Sequence, residues 1–137
     1  MATVAYTIVP PPSSGGQTVS EFPDGVRVVT WGPMANTDIG TPYAAPHRSD
    51  KSVQATGTFG VGGTVTIEGS NNPDSATAAF STLHDPSVTT ALTLVSGAAT
   101  SLKQVLENTW FIRPNITGGD GTTSVTVRML IQTVARR

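Results

Sequence analysis

The chain has 137 residues, eight Lys and Arg against nine Asp and Glu, a net charge of −1 and no cysteine. That length fits one domain with a real hydrophobic core, and the lack of cysteine excludes disulfides and thiolate metal sites and fits a reducing compartment. Arg27, Arg48, Lys51, Lys103, Arg113 and Arg128 are scattered and only Arg136 and Arg137 adjoin, which argues against the clustered basic face of a nucleic-acid binder.

Thr3 to Val9 is a short β-branched and apolar run, stopped by Pro10, Pro11 and Pro12, which lack the amide donor a ladder needs. Met1 to Pro10 carries no Lys or Arg and no long apolar run, so a secretory signal is not expected. Nor does any stretch approach the roughly 18 apolar residues of a membrane span. Residues 1–25 read as an N-terminal arm followed by a Pro/Gly/Ser-rich loop. Residues 26–137 read as one β domain.

Val26 to Trp31 is a strand candidate ended by Gly32-Pro33. Met34 to Ser49 holds Asn36, Asp38, Gly40, Pro42 and Pro46, all loop formers. Such a long loop is expected to be functional or ordered by a partner. Lys51 to Phe59 and Thr64 to Gly69 show period two and are predicted to pair. Between them Gly60-Val61-Gly62-Gly63 supplies the positive φ of a hairpin turn. Asn71-Asn72-Pro73-Asp74 is a turn, and Ala76 to Leu83 and Ala91 to Val95 are predicted strands. Leu102, Val105 and Leu106 sit at i, i+3 and i+4, making Thr100 to Leu106 the one helix candidate. Trp110 to Ile116 is a strand broken by Pro114, and Gly118-Gly119-Asp120-Gly121 a tight turn. Thr123 to Val134 is the clearest strand, with Val125, Val127, Met129 and Ile131 on one face. Leu130 and Val134 interrupt its polar face and point to a second sheet or a partner. About eight short strands with turns every 8–12 residues or so mark an all-β sandwich or barrel.

Catalytic chemistry is sparse. His84-Asp85 with Ser81 nearby invites a triad reading, but a triad is defined in space, and a turn histidine is the simpler account. The nine carboxylates show no short-range pairing, and Asp120 fits a turn former. Gly57 to Gly63 lacks the Lys-Ser/Thr and following helix of a phosphate loop. Asn115-Ile116-Thr117 matches a glycosylation sequon by chance. No enzymatic activity, cofactor or metal is expected.

Several stretches together resemble the small head decoration, or cement, proteins of tailed bacteriophages. They are Gly57-Thr58-Phe59, Thr64-Val65-Thr66-Ile67-Glu68-Gly69-Ser70-Asn71, Thr82-Leu83-His84-Asp85-Pro86, Val105-Leu106-Glu107-Asn108, Ile112-Arg113-Pro114 and Gly118-Gly119-Asp120-Gly121-Thr122-Thr123. The likeness covers residues 51–137. It implies a jelly-roll-like antiparallel sandwich with an extended N-terminal arm. It also implies a virion protein made in the bacterial cytoplasm and bound to the outer surface of the capsid. There it would act as a dimer or trimer at a symmetry axis and tie major capsid subunits together, with no membrane or nucleic acid as partner. Charged residues at 12%, about half the usual roughly 25%, suit a surface largely covered in an assembly. Exposed apolar and aromatic residues of the irregular segments are then the interface candidates: Tyr6, Ile8 and Val9 in the arm, and Trp31, Met34 and Tyr43 around the long loop. The Glu-Gly-Ser-Asn piece also looks like discoidin-type carbohydrate-binding modules, so the alternative is a sugar-binding sandwich of a phage tail or fibre.

Overall fold

The computed structural model describes residues 2–9, 27–45, 50–87, 91–96 and 102–132. The chain is all-β, with two mainly antiparallel sheets stacked as a sandwich. Twelve strands occur among the described residues rather than about eight, the excess being two-residue pairings. They are β1 (Thr3–Val4), β2 (Tyr6–Val9), β3 (Arg27–Met34), β4 (Ile39–Gly40), β5 (Tyr43–Ala44), β6 (Asp50–Thr58), β7 (Thr64–Ser70), β8 (Ser81–Thr82), β9 (Thr93–Leu94), β10 (Leu102–Gln104), β11 (Phe111–Thr117) and β12 (Ser124–Gln132). The seven-stranded sheet runs β1-β4-β11-β7-β8, with β5 on β11 and β9 on β7; the five-stranded sheet runs β10-β6-β12-β3-β2. Val53, Ala55, Val125, Val127, Met129 and Ile131 from one sheet meet Val65, Ile67, Leu92, Leu94, Ile112 and Ile116 from the other in a single core. The alternation of β12 inward and outward is complete over its whole length, as its sequence demands.

β6 and β7 do not pair with each other. β6 lies against β12 and β10, whereas β7 lies against β11. The Gly60–Gly63 turn is therefore a corner that carries the chain from one sheet to the other, not a hairpin. Gly118 to Thr123 is a second such corner, joining β11 to β12. A Cβ on Gly118 would fall 2.3 Å from the Gly62 carbonyl oxygen, so the two corners touch backbone to backbone. Val61 N–H donates to Asp120 Oδ2 at 3.0 Å, and Thr123 Oγ1 donates to the Phe59 carbonyl at 3.0 Å. Thr123 Oγ1 also accepts from Asp120 N–H at 2.9 Å.

The stretch after Trp31 is not a long loop. β3 continues through Gly32-Pro33, and the pairing of Val125 with Met34 but Val127 with Trp31 places two residues opposite Thr126. That bulge absorbs the proline and returns Met34 to the core. β4 and β5 then pair with β11. Nor does Pro114 break β11. Ile116 N–H donates toward the β4 side, to Asp38 O at 2.9 Å, so by ladder alternation the Pro114 nitrogen faces that side too. It lies in the gap between β4 and β5, where no donor is required. A Cβ on Gly40 would sit 2.6 Å from the Pro114 ring and 2.7 Å from Trp31, which makes glycine the residue that fits there.

The helix expected over Thr100 to Leu106 is replaced by β10, paired with β6. Val105 is buried while Leu102 and Leu106 are exposed, so the helical spacing of the three apolar residues never becomes one face. Between Ala76 and Leu83 only Ser81–Thr82 is strand, preceded by a turn in which Asp74 and Asn72 side chains bind the backbone. The described part of the arm is not isolated. β1 lies parallel to β4 in one sheet and β2 antiparallel to β3 in the other.

Two measurements check this framework. Thr123→Val strips the buried Phe59 carbonyl of its donor and is expected to cost about 1–3 kcal/mol, read as a lower urea midpoint at unchanged slope. Tyr6→Ala is expected to cost about 1–3 kcal/mol, because its ring contacts anchor the arm; an unchanged melting midpoint would mean that the arm adds nothing to the fold.

Candidate interaction surface

Three of the six interface candidates named from sequence, Trp31, Met34 and Tyr43, fall inside the sandwich. Trp31, Met34 and Tyr43 are at most 5% exposed, because period two in β3, reset by its bulge, turns Trp31 and Met34 inward. Trp31 Nε1 donates to the Thr41 carbonyl at 2.8 Å. Tyr43 pairs opposite Ile112 in β11. These three are core residues and offer a partner little surface. Tyr6 is half-buried, stacked on Tyr43 at 5.2 Å and edge-on to Trp31 at 6.1 Å. Ile8 is exposed, opposite Val29. Val9 pairs through its backbone with Val28; its side chain lies outside the described residues, as does His47.

Among the described residues the exposed large apolar side chains are Ile8, Val61, Leu102, Leu106, Trp110 and Leu130, and Leu102 and Leu130 share the outer face of the five-stranded sheet. Register aligns Val28, Leu130, Ser52 and Gln104 in one row across β3, β12, β6 and β10. The next row is Thr30, Arg128, Gln54 and Leu102. Leu130 is 44% and Leu102 54% exposed. Leu130 forms the ridge between two shallow hollows. One, of about 400 Å³, is lined by Val28, Ser52, Gln54, Leu102, Arg128 and Leu130. The other, of about 250 Å³, runs from Leu130 to Asp50, Gln104 and Gln132. Around these apolar side chains the face is mainly hydroxyl and amide groups. Leu130 stood out in the sequence as a break in a polar stripe. Leu102 did not, because its spacing to Val105 and Leu106 suggested a helix.

The outer face of the seven-stranded sheet is more polar. Arg113 Nε donates to Glu68 Oε1 at 2.9 Å, and Asn115 Nδ2 donates to Glu68 Oε2 at 3.2 Å. The Arg113 guanidinium lies 3.8 Å over the Phe80 ring. Cross-strand register of β7 and β11 aligns Glu68 with Arg113, a pairing 45 residues apart that no local pattern announces.

At the edge where β10 leaves β6, a group of ionisable side chains ties the sheets together. His84 is held by Glu107, not by Asp85. Its N–H donates to Glu107 Oε2 at 2.8 Å, and its Nδ1 lies 2.5 Å from Oε1. Asp85 instead accepts from Ser87 and lies 3.7 Å from the Lys103 ammonium. Ser81 sits in β8 opposite Gly69. The buried Lys51 donates from Nζ to Asn108 Oδ1 at 2.5 Å, and burial pushes its ammonium below the ordinary lysine value against the pull of Asp50 and Glu107. Partial burial pushes the Glu107 carboxyl up, but the His84 amide and ring outweigh it and hold the group below the ordinary glutamate value. Within this group the bonds serve to strap segment 102–108 across both sheets. Among the described residues no group of three or more His, Asp or Glu comes together that could hold a metal ion, and no helix is long and apolar enough to cross a membrane.

No protein-family model matches the chain, and no curated protein or solved structure matches it.

A carboxyl depressed in the fold contributes stability above its unfolded value and loses it as pH falls through the folded one. Glu107 should therefore add acid sensitivity. Melting midpoints measured from neutral to acid pH are expected to fall less steeply for Glu107→Gln than for the parent, with the variant already lower at neutral pH.

Proposed function

We propose that this protein is a non-enzymatic structural protein that docks on other protein surfaces, as a decoration or cement protein on the outside of a phage capsid. One observation carries the docking part of this reading: the outer face of the five-stranded sheet, where Val28 and Leu130 are directly paired and Leu102 lies beyond β6 in the next row, amid polar groups of which Arg128 and Asp50 are charged and Ser52, Gln54, Gln104 and Gln132 are not. Interface cores are depleted in charge. The capsid part rests on the resemblance of residues 51–137, whose quoted motifs map onto the end of β6, β7, the end of β8 with the stretch after it, the segment after β10, β11 and the Gly118–Thr123 corner. A jelly-roll connection pattern belongs to the same proposal. A modest contact, repeated around a closed shell, gains strength through multivalency.

A carbohydrate-binding module of a phage tail or fibre is the second reading. It is favoured by the outer face of the other sheet, where Phe80, Arg113, Glu68 and Asn115 place an aromatic ring beside a carboxylate and an amide.

Co-sedimentation with phage heads lacking a decoration protein tests the first reading. Saturable binding at an integer ratio per capsid subunit is expected, with heads made more resistant to heat. Leu130→Asp is expected to weaken binding at least tenfold while leaving the melting midpoint within a few degrees, since exposed substitutions usually change stability by about 0.5 kcal/mol or less. Binding to a glycan array without binding to heads would put the second reading first.

A further inference from the structure

β2 and β3 are neighbouring antiparallel strands whose near ends, Val9 and Val28, are directly paired. A hairpin loop of roughly two to five residues closes such a pair. Here residues 10–26 stand between β2 and β3, a 17-residue segment beginning Pro-Pro-Pro-Ser-Ser-Gly-Gly. Its length is thus several times what the connection requires. A segment of that length spans up to about 60 Å fully extended.

The arm that this segment tethers is a separable unit. β1 and β2 are the outermost strands at one end of each sheet, so their departure leaves every other strand pair intact. Their contacts form a closed set on one receptor. Backbone bonds join Ile39 N–H to Ala2 O at 2.9 Å and Thr41 N–H to Val4 O at 2.8 Å. Asp38 Oδ1 accepts from Ala2 N–H at 3.1 Å. Tyr6 packs on Tyr43 and Trp31. All these receptor groups come from β3, β4 and β5 and the turns between them, and a second copy of the chain carries the same receptor.

We propose that residues 2–9 are an exchangeable arm, docked on their own chain when copies are dilute and on the β3–β5 receptor of a neighbouring copy when copies are crowded. The exchanged form makes the same contacts, so it costs little beyond tethering. The tether sets an effective concentration on the order of millimolar, which is the concentration at which exchange becomes prevalent. The neighbour then contributes Tyr6 to each aromatic cluster. This does not depend on the capsid reading, because it concerns the purified chain alone.

The chain has no cysteine, which permits a direct test. Thr7 and Thr30 are directly paired across β2 and β3, within the range that a disulfide bridges after small adjustment. Two full-length chains distinguishable by mass, one Thr7→Cys and the other Thr30→Cys, are mixed and oxidised at about 10 μM and at about 2 mM, on either side of the tether's effective concentration. At the higher concentration the mixed disulfide is expected to exceed either symmetric disulfide on the order of tenfold, and at the lower to show no such excess. The doubly substituted chain should close on itself at 10 μM, reporting that the arm docks. Deleting residues 10–23 in both chains leaves Asp24 to Arg27 as a short hairpin loop and should abolish the excess. A statistical mixture of disulfides at 2 mM, or an excess that survives the deletion, overturns the proposal.

Discussion

Two glycine corners, Gly60–Gly63 and Gly118–Thr123, hold the two sheets in one fixed relation. They approach so closely that a Cβ on Gly118 would meet the Gly62 carbonyl oxygen and one on Gly60 the Thr123 and Asp120 side chains. A carboxylate and a hydroxyl, from Asp120 and Thr123, supply the backbone groups there with partners. Turning between sheets leaves amides and carbonyls without ladder partners, and buried ones must be met some other way. Everything downstream depends on this arrangement. Because both long strand connections change sheets at the same place, β6 and β12 pair in one layer and β7 and β11 in the other. That pairing defines which faces point outward.

The opposite problem, closing the sandwich edges, is solved with side chains. The strap from Leu102 to Asn108 joins β6 through its backbone and then binds His84 and Lys51 through Glu107 and Asn108. The carboxylate and imidazole at 2.5 Å serve this closure. At the other edge the arm closes both sheets at once, its Tyr6 ring lying against Tyr43 and Trp31. Residues 2–9 thus contribute one short strand to each layer.

How much was legible beforehand depended on the range of the signal. Alternation in Thr123 to Val134 identified β12 and its inward residues, since period two needs only neighbouring positions. The same local logic found the glycine turns and the all-β class. It could not distinguish a hairpin from a corner, because both need positive φ at glycine and differ only in where the next strand finds its partner. Gly32-Pro33 looked like a strand end and Pro114 like a break within a strand, but a bulge opposite Thr126 and a gap between β4 and β5 make room for them. Leu102, Val105 and Leu106 fitted a helix, and pairing with the edge of β6 overrode that spacing.

The interface candidates show the same division. Low charge and a break in the polar stripe at Leu130 were properties of the sequence itself, and they mark the surface that is exposed. Trp31, Met34 and Tyr43 seemed accessible because they flank prolines and glycines. Their burial was decided by the bulge in β3 and by β11, which lies about 70–80 positions away in the chain. Composition and period determined that this chain folds as a β-sandwich with a charge-poor surface. Which side chains form that surface, and which carboxylate meets His84, was decided only by long-range strand register, since burial is a property of partners that sequence neighbours do not name.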